Sequence, residues 1–154
     1  MKLEYLADNK DLLPIVAEWY FEEWGYLSKE KTLEQDIQRL HIYLNKDKVP
    51  LMLLAIENSE LLGAAQLKFR EMSIYPEKEH WVGGVYVAKE HRGKGIARQI
   101  LSELIAIAKS LKVETLYLQT ESLDGGLYRR MGWTPIEQVN YRGIEVLVMM
   151  KNIA

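Results

Sequence analysis

"WVGGVYVAKEHRGKGIARQILSELIAIAKSLKVETLYLQT", residues Trp81 to Thr120, changes its hydrophobic period twice. The strand-like run "WVGGVYV" gives way at Ile96 to a helical pattern. There Ile96, Ile100, Leu104 and Ala108 form one row, and Ala97, Leu101 and Ile105 form the next. After Ser110-Leu111-Lys112, "VETLYLQT" returns to a strand pattern. Strand, helix and strand in this order make a crossover unit whose two strands must run parallel. The step into the helix, "EHRGKGIARQI" from Glu90 to Ile100, crowds two glycines and the cations Arg92, Lys94 and Arg98 into one helix entrance. The first N–H groups of a helix lack partners and its dipole is positive there, so such an entrance suits an anion.

Upstream, Lys2 to Leu6 has the character of a short strand. Asp11 is placed to cap a helix with Pro14 at its third position, where a missing N–H costs nothing. In that helix Leu12, Leu13, Val16, Trp19, Tyr20 and Trp24 build one apolar face, and Gly25 is the expected stop. Thr32-Leu33-Glu34-Gln35 has the form of a capping box, and Leu33, Ile37, Leu40 and Leu44 continue in a 4-3-4 rhythm. "PLMLLAIE" and "LLGAAQLKF", parted by Asn58-Ser59-Glu60, read as an antiparallel hairpin. Downstream, "SLDGGLYRRMG" reads as a short helix weakened by two glycines and stopped by Gly132. "WTPIEQVNYRGIEVLVMMK" is a hairpin turning near Arg142-Gly143. The order βααββ then βαβαββ predicts an α/β chain, a mixed sheet of about seven strands with helices on both faces.

Composition bounds the function. At 154 residues, 48% hydrophobic and 27% charged, residues 1–154 fit a single domain with a real core. A net charge of -2 argues against bulk attraction to nucleic acid, so the basic cluster is local. The absence of cysteine excludes disulfides, a thiolate nucleophile and a thiolate metal site. "MKLEYLAD" carries acids early, so no signal peptide is expected, and no apolar run approaches the roughly 20 residues needed to cross a bilayer. The expectation is a cytoplasmic protein with no membrane and no nucleic-acid partner.

Several anions could answer to the loop. A nucleoside-triphosphate loop needs Lys followed by Ser or Thr, whereas Gly95 is followed by Ile96 and Ala97. A dinucleotide fingerprint needs a third small residue where Arg98 stands. A lone Gly-x-Gly is more often a plain turn with solvated charges. The combination is more specific. Arg92-x-x-Gly95-x-Ala97, after "VYV" and before a periodic helix, resembles the acyl-CoA pyrophosphate signature of the GNAT superfamily of N-acetyltransferases: Gln or Arg, two residues, Gly, one residue, Gly or Ala. The order of elements along nearly the whole chain resembles that superfamily, and "LYRRMGW" is similar to its Tyr-x-x-x-Gly-aromatic segment. Where the superfamily usually has Asn about seven residues before that tyrosine, this chain has Glu121, and Asp124 replaces a common Ala.

The resemblance implies acetyl-CoA as acyl-donor co-substrate, no metal, and a small-molecule amine or a peptide or protein amine as acceptor; it leaves a homodimer open. It implies that N–H groups of Gly93, Lys94, Gly95, Ile96, Ala97 and Arg98 cradle the pyrophosphate, with Arg92, Lys94 and Arg98 adding charge or reaching the 3′-phosphate. The pantetheine arm would pair with main-chain groups of Val85 and Val87, the Val87 N–H facing the thioester oxygen. Tyr128 would act as general acid to the departing sulfur. An alkyl ammonium with pKa ~10.4 must lose its proton before attack, at roughly 4 to 5 kcal/mol at pH 7. His80 and Glu121 are the candidates to take that proton. Trp24 and Tyr26 would line the acceptor site, with Glu22 or Glu23 attracting a cationic amine. The implied activity is N-acyl transfer by direct attack in a ternary complex. A non-catalytic acyl-CoA-binding or regulatory domain is the alternative, and a nucleotide-binding module is a third reading.

Overall fold

The computed structural model describes residues 1–27 and 29–154. The helix opens at Ile96 as the periodicity predicts: α3 (Ile96–Ser110) turns Ile96, Ile100, Leu101, Leu104, Ile107 and Ala108 inward. In chain order the other elements are β1 (Lys2–Tyr5), α1 (Leu13–Trp24), α2 (Leu33–Leu40), β2 (Leu51–Glu57), β3 (Glu60–Phe69), β4 (His80–Val87), β5 (Thr115–Thr120), α4 (Gly126–Arg130), β6 (Thr134–Tyr141) and β7 (Ile144–Asn152). The seven strands form one mixed sheet in the order β1-β2-β3-β4-β5-β7-β6. Its one parallel neighbour pair is β4 with β5, the pair joined by the α3 crossover.

The period-2 alternation of β2 sorts the core. Leu51, Leu53 and Ala55 pack with α3 on one face, while Met52 and Leu54 pack with α1 and α2 on the other. Helices therefore cover both faces. A third cluster, Met72, Trp81, Val146 and Val148, fills the α1 and α2 face where the helices no longer reach, under residues 70–79. Each fully buried Leu or Ile contributes about 1.5–3 kcal/mol against exposure, so these faces fix the strand register. No helix among the described residues is long and apolar enough to cross a membrane.

Most local signals hold. Thr32 and Gln35 form the reciprocal capping box, with Gln35 N–H donating to Thr32 Oγ1 at 3.2 Å and Thr32 N–H to Gln35 Oε1 at 3.0 Å. The hairpin turn is shorter than expected: Asn58 and Ser59 alone turn the chain, at φ 51° and 66°, and Glu60 already pairs with Glu57. Asp11 does not cap α1. A single 3₁₀ turn, Lys10–Leu12, runs straight into the helix, so Asp11 lies within continuous helical backbone, the N-cap is Leu12 and Pro14 falls within the first two positions. Gly25 ends α1 in right-handed geometry and the chain tightens into a further 3₁₀ turn, Gly25–Leu27.

Thr32→Ala should cost about 1 kcal/mol in urea unfolding, and Asp11→Ala less than about 0.5 kcal/mol. An equal cost for both would mean that Asp11 anchors the start of α1 after all.

Candidate active site

The site begins where the sheet comes apart. β4 meets β5 at Trp81↔Tyr117, with no further register partner between them. Beyond that point β4 stays with β3 as far as Val87, and β5 stays with β7 as far as Thr120. The ladder with β3 fixes which way the free groups point. Ala88 N–H donates to Leu62 C=O across the β3 side, so the N–H and C=O of Val87 face the gap, as do those of Val85 two residues before. The register of β3 and β4 slips between Ala64 and Gln66, opposite Gly84. Gly84 sits at φ 56°, and a Cβ there would lie 2.8 Å from both the Tyr20 hydroxyl and the Gln66 side chain. Only glycine fits this bulge, and Tyr20 holds it by donating its hydroxyl to the Gly84 C=O. Burial and the neighbouring Tyr43 push the Tyr20 phenol well above its usual pKa, so it stays a donor.

Two cavities open from this gap. One, of about 680 Å³, runs along Val85, Tyr86 and Val87 to the start of α3. There Gly93 and Gly95 adopt φ 78° and 77°, with nothing within 4 Å of where a Cβ would be. The N–H groups from Gly93 to Arg98 have no intramolecular acceptor among the described residues, and the first helical bond is Gln99 N–H to Gly95 C=O at 3.2 Å. Unpaired donors at a helix N-terminus thus border an open concavity, at Gly93, Gly95, Ile96, Ala97 and Arg98, a geometry that suits a phosphate. Arg92 borders this cavity and braces the strand beside it: its Nε donates to Val87 C=O at 2.9 Å and its guanidinium lies 5.3 Å from the centre of the Tyr86 ring. Lys94 does not line the cavity, because its ammonium turns back to His91 Nδ1 at 3.3 Å.

The other cavity, of about 790 Å³, lies between α1, α2, β4, the end of β5 and the β6–β7 turn. Its floor carries two ion pairs, Lys68 Nζ–Glu71 Oε1 at 2.7 Å and Lys31 Nζ–Asp36 Oδ1 at 3.0 Å. The second oxygens, Glu71 Oε2 and Asp36 Oδ2, are buried without a partner among the described residues. Glu71 holds Lys68 charged against burial and lifts its pKa. Tyr128 on α4 lines both cavities, its ring edge-on to Trp133 at 6.3 Å and 73°. Burial, and then the Glu71 charge, push its phenol up to about 12. At the entrance to α4, Asp124 Oδ1 accepts from the Gly126 N–H at 3.0 Å, which is the work of that carboxylate.

The expected site residues divide. Val85, Val87, Gly93, Gly95, Ile96, Ala97 and Arg98 border the loop cavity together with Tyr128. Trp24, Glu23 and Glu121 line the larger cavity. His80 lines neither: it opens β4 opposite Phe69, its ring 5.0 Å from that ring, ahead of the point where the strands part. Glu22 lies on the outward side of α1, and Tyr26 is 63% exposed beyond the helix end, so neither lines a cavity. Three lining residues have no sequence signal as such: Tyr20 reads as part of an apolar face, Lys68 falls within the strand pattern of "LLGAAQLKF", and no motif marks Glu71. His91, Glu60 and Glu90 bring ligand atoms within 4.8 Å of one another beside the loop, but the Lys94 ammonium against His91 opposes a cation there.

A mixed sheet split beside an anion cradle defines a class, and residues 13–133 match the model of the acetyltransferase (GNAT) family; the chain belongs to that family. It is 38% identical over 64 residues to "Uncharacterized N-acetyltransferase YobR" of Bacillus subtilis (strain 168), a match that takes in 40% of this chain and 26% of that protein. Among solved structures, the ribosomal-protein-alanine N-acetyltransferase from Brucella melitensis is 27% identical, with a TM-score of 0.73 over 99% of each chain. The fold is also that of yncA from Salmonella typhimurium, solved with its cofactor acetyl-CoA: 18% identity, TM-score 0.76, covering 99% of this chain and 94% of that one.

Because burial raises the Tyr128 phenol to about 12, it stays protonated while ordinary tyrosines ionise near 10. A phenolate absorbance titration of the folded protein against Tyr128→Phe should therefore differ by one tyrosine only above about pH 11. A missing step near pH 10 would show that burial and the Glu71 charge do not hold the Tyr128 phenol protonated.

Proposed function

We propose that this protein transfers the acetyl group of acetyl-CoA to an amine by direct attack in a ternary complex. The observation that carries the reading is the row of six unpaired N–H groups from Gly93 to Arg98, continuous through the free edge of Val85 and Val87 with the cavity at Tyr128. A diphosphate suits the first, an extended amide-bearing arm suits the second, and a thioester at the junction lies within reach of both cavities. Acetyl-CoA supplies the activated acyl group; a relative of the same fold is solved with it. Arg98 adds positive charge at the cradle, whereas Arg92 braces the strand edge that the arm would follow.

In this reading the amine attacks the thioester carbon, the Val87 N–H donates to the carbonyl oxygen as it gains charge, and the C–S bond then breaks. The amine proton passes through water to Glu121, which follows β5 at the junction, and then to solvent. Tyr128 receives the departing sulfur. With its phenol near 12, complete transfer of its proton to a thiolate whose conjugate acid is near ~8.5 is uphill by about 3.5 units, roughly 5 kcal/mol. Tyr128 therefore stabilises the thiolate by donating a hydrogen bond, and solvent supplies the proton afterwards. His80, outside both cavities, takes no step.

A thiol-release screen with acetyl-CoA and a panel of amines tests the activity; intact CoA binding with no release for any amine would leave an acyl-CoA-binding domain instead. Gly95→Asp places a carboxylate in the cradle and a side chain at φ 77°, and should weaken CoA binding in calorimetry far more than it lowers the unfolding midpoint. Tyr128→Phe should lower kcat by roughly 10² to 10⁴ with CoA affinity nearly unchanged, and the loss should shrink with an acyl donor of lower leaving-group pKa. Parent kcat in that variant would make Tyr128 a packing residue.

A further inference from the structure

The larger cavity is lined by four acids and four cations, and its ion pairs remove half of each. Lys31 engages Asp36 and Lys68 engages Glu71, so the floor is close to neutral. The charges left over are sorted by position. Glu23 and Glu121 have no cationic partner among the described residues, and both stand at the junction with the loop cavity. Glu23 lines both cavities, and Glu121 lies between Thr120 and Ser122, which also line both. Arg39, in the last turn of α2, and Arg142, in the β6–β7 turn, line the larger cavity only. Neither has a carboxylate partner among the described residues, and Arg142 rests its guanidinium 5.1 Å from the Tyr141 ring centre. Negative charge without a partner thus lies on or directly beside residues shared with the loop cavity, and positive charge without a partner lies on residues that line the larger cavity alone.

We infer that the acceptor is a small amino carboxylate, a molecule with the reactive amine at one end and a carboxylate at the other; this rests on the acetyl-transfer reading above. The ammonium form enters toward Glu23 and Glu121, and loses its proton there before attack. Its carboxylate meets Arg39 and Arg142, whose guanidinium groups suit a planar anion. A diamine of the same length would bring its second ammonium against two arginines, and a neutral tail would leave both without a partner. Field direction, and not the total charge of the cavity, selects the acceptor.

The test compares three matched sets at saturating acetyl-CoA: α- and ω-amino carboxylates of three to six carbons, their carboxamides, and diamines of equal chain length. The expected kcat/KM is at least about tenfold higher for the best amino carboxylate than for its amide or the matching diamine, the scale of one charge-assisted contact. Arg39→Gln and Arg142→Gln should raise KM for the carboxylate and move the carboxylate-to-amide ratio toward one. Amides or diamines used as well as the carboxylates, variants that lower all three sets equally, or thiol release with no amino carboxylate would each overturn the inference while leaving acetyl transfer standing. Absence of CoA binding would instead remove the acetyl-transfer reading beneath it.

Discussion

Everything in the site follows from the parting of two parallel strands after a single paired position, Trp81 with Tyr117. An unpaired strand edge inside a sheet leaves main-chain donors and acceptors unsatisfied, which a fold tolerates only where water or a ligand can reach them. Here the edge is held open from the opposite side. Tyr20 and Gln66 close around Gly84, and the slip in register against β3 turns the next residues out of the plane that pairing with β5 would need. The α3 crossover fixes the other limb, because Ile96 and Ile100 pack into the same core as Val82, Leu116 and Leu118. The helix entrance thereby lies at the mouth of the gap, and the anion cradle and the free edge become one continuous surface.

The electrostatics divide along the same line. On the loop side what is offered is mostly main-chain: the unpaired N–H groups from Gly93 to Arg98 and an exposed strand edge, with Arg92 bracing a carbonyl and Arg98 beside the loop. On the other side it is side-chain charge, partly cancelled by buried pairs. Glu71 has two effects there. It keeps Lys68 charged in a buried position, and its field lifts the Tyr128 phenol in the same direction as burial does. In the proposed reaction, a carboxylate that belongs to neither the nucleophile nor the leaving group would thus help set whether Tyr128 gives a proton or only a hydrogen bond.

The sequence made legible what local chemistry dictates. The start of α3 at Ile96, the Thr32–Gln35 capping box and the Arg142–Gly143 turn each depend on residues a few positions apart, and the loop glycines announce the cradle by their spacing. Asp11 has the residue type of an N-cap but not the position, because the 3₁₀ turn ahead of α1 has no periodic signature of its own in three residues. Lys94 has the charge expected of a cradle residue but not the direction, which His91 sets. Tyr20 and Glu71 were hidden for a different reason. Tyr20 reaches a carbonyl 64 positions away, and its apolar neighbours on α1 make it look like core, which by burial it is. Its hydroxyl acquires meaning only once β4 is laid against α1.

That difference has a physical root. A main-chain site is specified by where the backbone goes, so glycine spacing and element order suffice to announce it, and many side-chain choices around it are tolerated. A side-chain site is specified by which residues long-range packing brings together, and here α1, α2, β3, β5 and the β6–β7 turn each contribute a charge or a hydroxyl. No short window of sequence contains two of those elements in their folded relation. On the proposed reading, the acyl-donor half of this protein is therefore readable from one loop, while the acceptor half must be read from the signs and positions of charges that only the finished fold assembles.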